Sequence, residues 1–229
     1  MRILAFDTTA GACSAAILGP DGAIIAHRAV ALARGHAERL MPMLREVLED
    51  AGVAVGALDL IAVTTGPGTF TGIRIGLAAA RGLALASGVP LLGVSSFAAV
   101  AAAVAPEERA ARRLVVAVES RRPDLFVQAF DAAGGVSPPA AVPPEGLARW
   151  IGPGDLLLAG DGAARAAAIL EAAGRAKASL CHAGPPDAAD VARVARVTWR
   201  PGAAAPPAVP HYLRAPDVTL PRPGGGGTR

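Results

Sequence analysis

Two short segments of the chain combine residue types that could bind a phosphate group. Asp7-Thr8-Thr9 comes after a short apolar run and before a turn, where amides and hydroxyls can hold an anion and a carboxylate can orient a metal-bound water. The loop Gly66-Pro67-Gly68-Thr69-Phe70-Thr71-Gly72 follows a buried apolar stretch, and its threonines can cap the next helix. Both segments also have a structural interpretation without a ligand, as turns that satisfy backbone groups. The candidate nucleotide- or anion-binding residues are Asp7, Thr8, Thr9, Gly66, Gly68, Thr69 and Thr71.

Other chemistry-bearing residues give weaker signals. Gly160-Asp161-Gly162 joins an apolar run to a helical pattern, where adenosine could rest, but a connector without a ligand is the favoured interpretation. Cys13 and Cys181 lie far apart and form no CxxC motif, so neither a disulfide framework nor a zinc knuckle is indicated. No i, i+4 pair occurs among the four histidines, which are His27, His36, His182 and His211.

The helix predicted at 69–87 is apolar on nearly every side. Gly72, Gly76 and Ala80 fall at i, i+4 and i+8, and this seam of small residues would let a second helix approach closely. Only two arginines interrupt the apolar surface. Such a helix needs cover on more than one side. Its own sheet supplies one cover, and the second is either another chain or the rest of the same subunit.

Alternating strands and helices must position these segments. Apolar runs bounded by turn residues predict strands, and apolar residues at helical spacing predict helices. The helix at 36–51 contains Pro42, which would kink it locally unless it lay within the first turns. The predicted strands lie at 2–6, 13–18, 23–30, 58–65, 90–94, 114–118, 125–130 and 156–159, the helices at 36–51, 69–87, 96–105, 163–173 and 187–199, and a loop at 138–144.

The order of these elements predicts an α/β protein of two lobes. Residues 1–105 form the first lobe, and residues 106–200 form a second, smaller lobe whose order resembles a shortened repeat of the first. Residues 201–229 are rich in proline and glycine and cannot fold alone, so we expect an extended tail with Gly224 to Gly227 disordered.

Composition narrows the classes of function. Hydrophobic residues make up 52% of the 229-residue chain and charged residues 18%, which indicates a globular protein. The net charge is +3, and nearly all of the positively charged residues are arginines. No basic run is interleaved with aromatic residues, so a solvated surface is favoured over a nucleic-acid surface. The early acidic residue Asp7 and the lack of a bilayer-spanning apolar stretch predict a cytoplasmic protein without membrane contact.

Several motifs together carry a family resemblance. In the first lobe they are Ile3-Leu4-Ala5-Phe6-Asp7-Thr8-Thr9, Cys13-Ser14, Gly66-Pro67-Gly68-Thr69-Phe70-Thr71-Gly72-Ile73-Arg74-Ile75-Gly76 and Leu92-Gly93-Val94-Ser95-Ser96. They resemble the bacterial TsaB family, also called YeaZ. The resemblance weakens after Pro106 and returns at Pro210-His211-Tyr212-Leu213-Arg214, which is similar to the family's closing Pro-x-Tyr-Leu-Arg. The loop Glu119 to Pro123 departs from the family's Asp-Ala-Arg pattern, which leaves its role open.

The resemblance implies an actin-like, Hsp70-like (ASKHA) fold and a role in making N6-threonylcarbamoyladenosine at position 37 of tRNAs that read codons starting with A. In that pathway TsaD transfers the threonylcarbamoyl group, TsaB is its non-catalytic partner, and the ATPase TsaE is a third member. We therefore expect a heterodimer with TsaD, a ternary complex with TsaE, and a homodimer when the chain is alone. Contact with tRNA would be indirect or auxiliary. No cofactor is required, although weak nucleotide binding between the lobes stays open.

The resemblance also assigns positions to the interface and to a lost metal site. The expected contact surface lies on the helices at 36–51 and 69–87. TsaD-like relatives carry a His-x-x-x-His motif after the strand at 90–94, where this chain has Ser96 and Val100, which are not metal ligands, so we expect no metal and no catalytic residue. The expected interface residues are His36, Leu40, Leu44, Leu48, Gly72, Ile73, Gly76, Leu77, Ala80, Leu83 and Ala84.

Two other functions compete with the partner role. The first is an enzyme of the same fold, an ATP-binding ATPase or kinase that would use Asp7 and the Gly66 to Gly72 loop. A metallopeptidase, suggested by an old glycoprotease label of the family, is opposed by the missing ligands. The second is direct tRNA binding, for which the basic segment Arg214 to Arg229 is the candidate.

Overall fold

The computed structural model describes residues 1–109, 112–131, 136–175, 178–205 and 207–214. Its strands are β1 (Ile3–Asp7), β2 (Ala12–Leu18), β3 (Ile24–Ala31), β4 (Leu60–Gly66), β5 (Leu91–Ser95), β6 (Arg113–Glu119), β7 (Leu125–Phe130), β8 (Ala140–Val142), β9 (Leu156–Ala159) and β10 (Ser179–Leu180). Its helices are α1 (His36–Ala51), α2 (Phe70–Ser87), α3 (Ser96–Ala103), α4 (Pro106–Arg109), α5 (Pro144–Ile151), α6 (Ala163–Ala172) and α7 (Ala188–Thr198), with a 3-10 turn at Val55–Ala57. No helix within these ranges is long and apolar enough to cross a membrane.

Two five-stranded mixed sheets have the same topology. The first has the strand order β3-β2-β1-β4-β5, and the second, read in the matching direction, has the order β8-β7-β6-β9-β10. β1 pairs antiparallel with β2 and parallel with β4. β6 pairs antiparallel with β7 and parallel with β9 in the same way. This repetition confirms the predicted α/β architecture of two related lobes.

Helices cover both faces of the first sheet. Side chains alternate along a strand, so Leu4 and Phe6 of β1 pack toward α1 and α2, while Ile3 and Ala5 pack toward α3 and α7. All five residues of β1 are buried for this reason. A strand covered on both faces appears in the sequence as an uninterrupted apolar run, which is why β1 was recognisable from its pattern.

The second sheet shares a helix with the first. Phe97 and Val100 of α3 pack against Val116 of β6, whereas Ala99 on the opposite side of the same helix packs against the first sheet. The other face of the second sheet is covered by α5 and α6, with Leu147 as one of the buried contacts. Because α3 contributes to both cores, the two lobes are joined by apolar packing as well as by the chain.

The position of α7 corrects the predicted lobe boundary. The sequence places this helix in the second lobe, residues 106–200, whereas Val191 packs beside Ile3 on the first sheet. Asp187, which caps the helix, also lies 3.0 Å from Nε2 of His27 on β3. The chain therefore returns to the first lobe after completing the second. Apolar spacing shows that one face of a helix is buried, but not which sheet buries it.

Two other segments differ from their predictions. The loop predicted at 138–144 contains β8, which has only three residues, and the first residue of α5. Pro144 suits the start of α5, because its fixed φ is helical and a residue at this position needs no intrahelical N–H bond. The predicted disorder of Gly224 to Gly227 lies outside the described residues.

The start of α2 shows why small residues are needed there. The side chain of Thr69 caps the helix by accepting a hydrogen bond from the amide of Gly72 at 3.2 Å, as the sequence predicts. A Cβ atom on Gly72 would lie 1.9 Å from the carbonyl oxygen of Thr8, and one on Gly76 would lie 2.8 Å from the Thr8 hydroxyl. The seam was predicted to admit another helix. At these two positions it instead admits the turn after β1, within the same chain.

A pair of glycine substitutions in α2 tests this packing. We expect Gly72→Ala to lower the free energy of unfolding by about 2 kcal/mol or more, because the added methyl group overlaps a backbone carbonyl. Gly82→Ala is the control, since a Cβ there meets no atom within 4 Å and alanine favours helix by about 1 kcal/mol over glycine. Urea unfolding followed by circular dichroism measures both. Equal effects of the two substitutions would contradict the assignment.

Candidate functional site

The predicted phosphate-binding turn after β1 is buried and internally satisfied. Asp7 and Thr8 are 0% exposed and Thr9 is 1% exposed. The carboxylate of Asp7 accepts hydrogen bonds from the hydroxyls of Thr9 (2.6 Å) and Thr64 (2.5 Å) and from the Thr9 amide (3.2 Å). The Thr9 hydroxyl also lies 3.3 Å from Oγ of Ser96. The amide and hydroxyl of Thr9, which could have bound a phosphate, therefore already donate to the carboxylate of Asp7.

The glycine-rich loop covers this turn. The amide of Thr69 donates to the carbonyl of Thr9 at 2.7 Å, and the hydroxyl of Thr8 donates to the carbonyl of Gly72 at 2.7 Å. A Cβ atom on Gly68 would lie 2.4 Å from the Thr9 carbonyl, so glycine is needed for the loop to approach so closely. The two segments predicted to form a phosphate cradle therefore pack directly against each other.

This contact divides the predicted anion-binding residues into two groups. Asp7, Thr8 and Thr9 are buried beneath the loop, and Gly66 is buried at its start beside Ile73 and His211. These four residues cannot touch a ligand in this conformation, which corrects their assignment. Gly68, Thr69 and Thr71 lie on the outer side of the loop and line an open cleft. The sequence identified both motifs, but residue spacing cannot show that one motif folds onto the other.

Burial changes the acidity of Asp7. Removal of this carboxyl from water raises its pKa to about 6, although hydrogen bonds from Thr64 and Thr9 act in the opposite direction and favour the ionised form. The nearby charge of Asp187 adds to the rise. Asp7 is therefore an acid that is shielded from solvent and has a pKa of about 6.

The glycine-rich loop lines an open cleft between the two lobes, which we call the interlobe cleft. Its volume is about 520 Å³, and its walls come from the Pro67 to Ile73 region, from the second lobe and from the C-terminal segment. Thr69, Thr71 and Arg121 also line a neighbouring groove of about 450 Å³ beside the start of α1, so the cleft and the groove meet at these three residues. The remaining lining residues of the interlobe cleft are Ser120, Arg122, Phe126, His211, Tyr212, Leu213 and Arg214.

The C-terminal motif forms one wall of this cleft. The amide of His211 donates to the carbonyl of Thr65 at 2.8 Å, and Arg214 reaches Asp124 of the second lobe at 3.1 Å. Between them the ring of Tyr212 lies 5.3 Å from the ring of Phe70. The segment therefore connects the first sheet to the second lobe. The sequence singled out this motif only through its family resemblance, since short polar and aromatic motifs have no periodicity.

The Gly160-Asp161-Gly162 turn has a structural explanation. A Cβ on Gly160 would lie 2.2 Å from the carbonyl of Ala117, and the amide of Glu119 donates to Oδ1 of Asp161 at 3.1 Å. Burial raises the pKa of Asp161, opposed by that amide. The turn thus binds the end of β6, in agreement with the connector interpretation.

The expected interface residues fall on two sides of their helices. Seven are buried inside the subunit and present no surface to a partner: Leu40, Leu44, Gly72, Ile73, Gly76, Leu77 and Ala80. His36, Leu48, Leu83 and Ala84 are half-buried at the edge of the first core. The assignment of the seven to an interface is corrected, because the apolar period of a helix marks first the face that packs on its own sheet.

Exposed apolar residues lie on the outer faces of the same two helices. Met41 of α1 is 50% exposed and Leu85 of α2 is 89% exposed. Ala78 and Gly82 are also exposed on α2. We call these four residues the outer α1–α2 surface. The sequence predicted that α2 needs a second cover, but the spacing of its apolar residues did not show which of them face outward.

Ser96 and Val100, the positions expected to match the metal motif of TsaD-like relatives, are both buried in α3. Within the described ranges, no group of three or more His, Cys, Asp or Glu residues is arranged to hold a metal ion. Cys13 and Cys181 are both free, and burial raises the pKa of the Cys13 thiol to about 11. A thiol with this pKa is a poor nucleophile near neutral pH.

Comparison with known proteins identifies relatives of both the sequence and the fold. A family model described as TsaD, tRNA N6-adenosine threonylcarbamoyltransferase, matches residues 29–143, half of the chain. The TsaB protein of Escherichia coli K12, named as a tRNA threonylcarbamoyladenosine biosynthesis protein, is 37% identical over 126 residues, which are 55% of this chain and 53% of that protein. The match thus spans about half the length of this curated relative. An uncharacterised protein of Mycobacterium tuberculosis H37Rv is 33% identical over 217 residues, covering 94% of this chain and 93% of that one.

A solved structure extends the similarity to nearly the whole chain. YeaZ from Pseudomonas aeruginosa is 33% identical and superimposes with a TM-score of 0.77, covering 93% of this chain and 99% of that one. The fold is the actin-like, Hsp70-like (ASKHA) fold of two lobes, as expected from the sequence.

The buried carboxyl of Asp7 predicts a pH dependence of stability. Its pKa is about 6 in the folded protein and 3.8 when unperturbed, so its contribution to stability is complete below about pH 3.8 and is lost as the pH rises through 6. The loss is on the order of 3 kcal/mol. The free energy of unfolding of the native chain, minus that of Asp7→Asn, should therefore fall between pH 4 and pH 6.5 and then stay level.

Asp155→Asn is the control, because this carboxyl is exposed at the surface. Both variants and the native chain are unfolded with urea across the pH range. A difference between native chain and Asp7→Asn that stays constant, or grows with pH, would show that burial does not dominate the titration of Asp7.

Proposed function

This chain belongs to the TsaB (YeaZ) family, and we propose that it is a non-catalytic partner of a TsaD-type transferase. The reaction is the formation of N6-threonylcarbamoyladenosine at position 37 of tRNAs that read codons starting with A. In this proposal the transferase carries the chemistry and this chain supplies a preformed binding surface. A second copy of the chain takes the transferase's place when the chain is alone, and TsaE joins the pair as a third protein.

The comparisons support the pathway more directly than the partner role. The E. coli relative is named for threonylcarbamoyladenosine biosynthesis, and the matching family model is named for the transferase. Because the transferase family model matches half of this chain, the chain and the transferase share a common origin over these residues. In a symmetric dimer both subunits use the same surface patch, and we infer that a related subunit with an equivalent patch can replace one copy. Both α1 and α2 lie within the matched residues 29–143.

The outer α1–α2 surface has the physical properties of a contact site. Exposed Met41 and Leu85 would lose unfavourable contact with water on binding, and Ala78 and Gly82 would allow a partner backbone to approach closely. Charged side chains border this surface, including Arg45 of α1. An apolar centre with a polar rim is the usual anatomy of a protein interface.

The closed turn at Asp7 is the single observation that favours a partner over an enzyme. An ATPase or kinase of this fold would need the turn after β1 to hold phosphate oxygens, yet Asp7, Thr8 and Thr9 bond to one another and to the covering loop. Opening the turn would break the bonds from Thr69 to Thr9 and from Thr8 to Gly72. This cost opposes turnover at the predicted site.

Two substitutions that place a carboxylate on α2 test the partner surface. We expect Leu85→Glu and Gly82→Glu each to weaken binding to the transferase by about tenfold or more, because a carboxylate buried at an apolar contact loses its hydration. Both positions are exposed, and a Cβ atom at Gly82 would meet no atom within 4 Å, so the fold should be kept. Isothermal titration with the purified transferase measures the affinity, and mass measurement in solution reports homodimer loss.

Val197→Glu is the matched control, since Val197 is 70% exposed on α7, on the opposite face of the first sheet. Buried positions such as Leu77 are unsuitable for this test because a charge there would unfold the core. Weaker binding in Val197→Glu but not in the α2 variants would move the interface to α7. Hydrolysis of ATP by the chain alone would instead favour the enzyme interpretation.

A further inference from the structure

The last described segment of the chain, residues 207–214, leads into the interlobe cleft. It is bonded along the first lobe, where the guanidinium of Arg81 donates to the carbonyl of Ala208 at 2.7 Å. At its end Arg214 lines the cleft and lies 3.1 Å from the carboxylate of Asp124 in the second lobe. The residues that follow Arg214 are therefore tethered at the wall of the cleft.

The two lobes contribute unlike walls to this cleft. The second lobe supplies Arg121 and Arg122, whereas the first lobe supplies Pro67, Phe70 and Ile73. None of the described residues that line the cleft is Asp or Glu. The complement of such a cleft is a segment with a carboxylate on one side and apolar groups on the other.

Arg121 is held in position by its neighbours and not by its own contacts. Its φ is +59°, and among the described residues no other non-glycine residue has a positive φ, which is unfavourable for a side chain with a Cβ atom. The guanidinium of Arg165 holds the loop by binding both carboxylate oxygens of Glu119, at 2.9 and 2.7 Å, and the carbonyl of Pro123 at 2.8 Å. Arg121 itself forms no hydrogen bond or ion pair with any described residue, although its charge acts on the carboxyl of Asp161. A fixed guanidinium with unused donors is arranged to bind a carboxylate.

Two exposed aromatic rings form a fixed apolar surface at the same cleft. Phe70 and Tyr212, which we call the aromatic pair, are 45% and 39% exposed, and their rings lie 5.3 Å apart. Arg74 holds both, because its guanidinium lies 3.7 Å from the centre of the Phe70 ring and donates to the Tyr212 hydroxyl at 3.2 Å. The aromatic pair thus presents apolar area that would gain free energy from being covered.

The sequence directly after Arg214 has an acidic side and an apolar side. It reads Ala215-Pro216-Asp217-Val218-Thr219-Leu220-Pro221. A proline near each end favours an extended backbone, in which Asp217 points to one side and Val218 and Leu220 point to the other. At about 3.3 Å per residue, the Cα of Asp217 can lie up to about 10 Å from that of Arg214. The segment can therefore reach across the cleft without a linker.

We propose that residues 215–221 fold back into the interlobe cleft, with the carboxylate of Asp217 paired with Arg121. The other side of the segment, with Val218 and Leu220, covers the aromatic pair. Because the segment is tethered at the cleft, its local concentration is on the order of millimolar, so a weak contact is enough to keep it there. A partner or ligand that uses the cleft must first displace the segment. This inference concerns the chain alone and does not rest on the proposed function.

Nuclear magnetic resonance of the full chain detects this contact directly. Tyr212 is the only tyrosine of the chain, so the signals of its ring are assigned without ambiguity. If the segment occupies the cleft, nuclear Overhauser cross-peaks connect this ring to the methyl groups of Val218 or Leu220. A second sample mixes isotope-labelled and unlabelled chain and shows whether the contact forms within one copy or between two.

Three substitutions test the proposed ion pair. Asp217→Asn removes the negative charge, and Arg121→Gly removes the guanidinium while keeping the loop, since glycine adopts a positive φ without cost. The unfolding midpoint of Arg121→Gly should therefore not fall. Asp155→Asn is the matched control, because Asp155 is exposed and does not line the cleft. The double variant Asp217→Asn with Arg121→Gly shows whether the two groups act on each other.

We expect equal cross-peak intensity in the native chain and Asp155→Asn, and a fall by about half or more in Asp217→Asn and in Arg121→Gly. The double variant should match the weaker of the two single variants, because both substitutions break the same pair. Absence of the cross-peaks in the native chain, or unchanged intensity in both single variants, would overturn the proposal. Cross-peaks between labelled and unlabelled copies would also overturn it and would assign the cleft to the segment of a second copy.

Discussion

The first lobe depends on a close approach between two backbone segments. The carbonyl groups of Thr8 and Thr9 meet the Gly66 to Gly72 loop so closely that a Cβ on Gly68 or Gly72 would overlap them. Two hydrogen bonds hold the contact, one from the Thr69 amide and one from the Thr8 hydroxyl. The same contact fixes the start of α2, because Thr69 is its N-cap. The direction of α2, its outer surface and one wall of the interlobe cleft all follow from it.

The close approach of the loop also explains why Asp7 is buried, although burial of an ionisable carboxyl is unfavourable by itself. Once the loop covers the turn, Asp7 is cut off from water, and its hydrogen bonds to Thr9 and Thr64 replace hydration only in part, as its raised pKa shows. The polar residues of this turn bond to one another and to the loop that covers them, while the outer faces of α1 and α2 and the interlobe cleft stay exposed.

The sequence predicted regular elements better than it predicted which groups face outward. The ends of α2 agree with the structure to within one residue, because Thr69, Gly88 and the apolar period each mark a boundary. Leu77 and Ala80 were assigned to an interface and are buried, because periodicity identifies an apolar face without identifying its cover. The conformation of Arg121 left no sequence signal, since a positive φ is readable from glycine but not from arginine.

The connections between the two lobes limit how far the lobes can move relative to each other. α3 packs against both sheets, α7 returns from the second lobe to the first, and the segment from His211 to Arg214 bonds to Thr65 at one end and to Asp124 at the other. Closure of two lobes on a substrate requires a hinge that few contacts cross. The apolar core shared at α3 and the bonded segment from His211 to Arg214 are contacts between the lobes, and they oppose such motion. A chain built in this way is suited to presenting fixed surfaces, because a preorganised surface loses little conformational entropy when a partner binds.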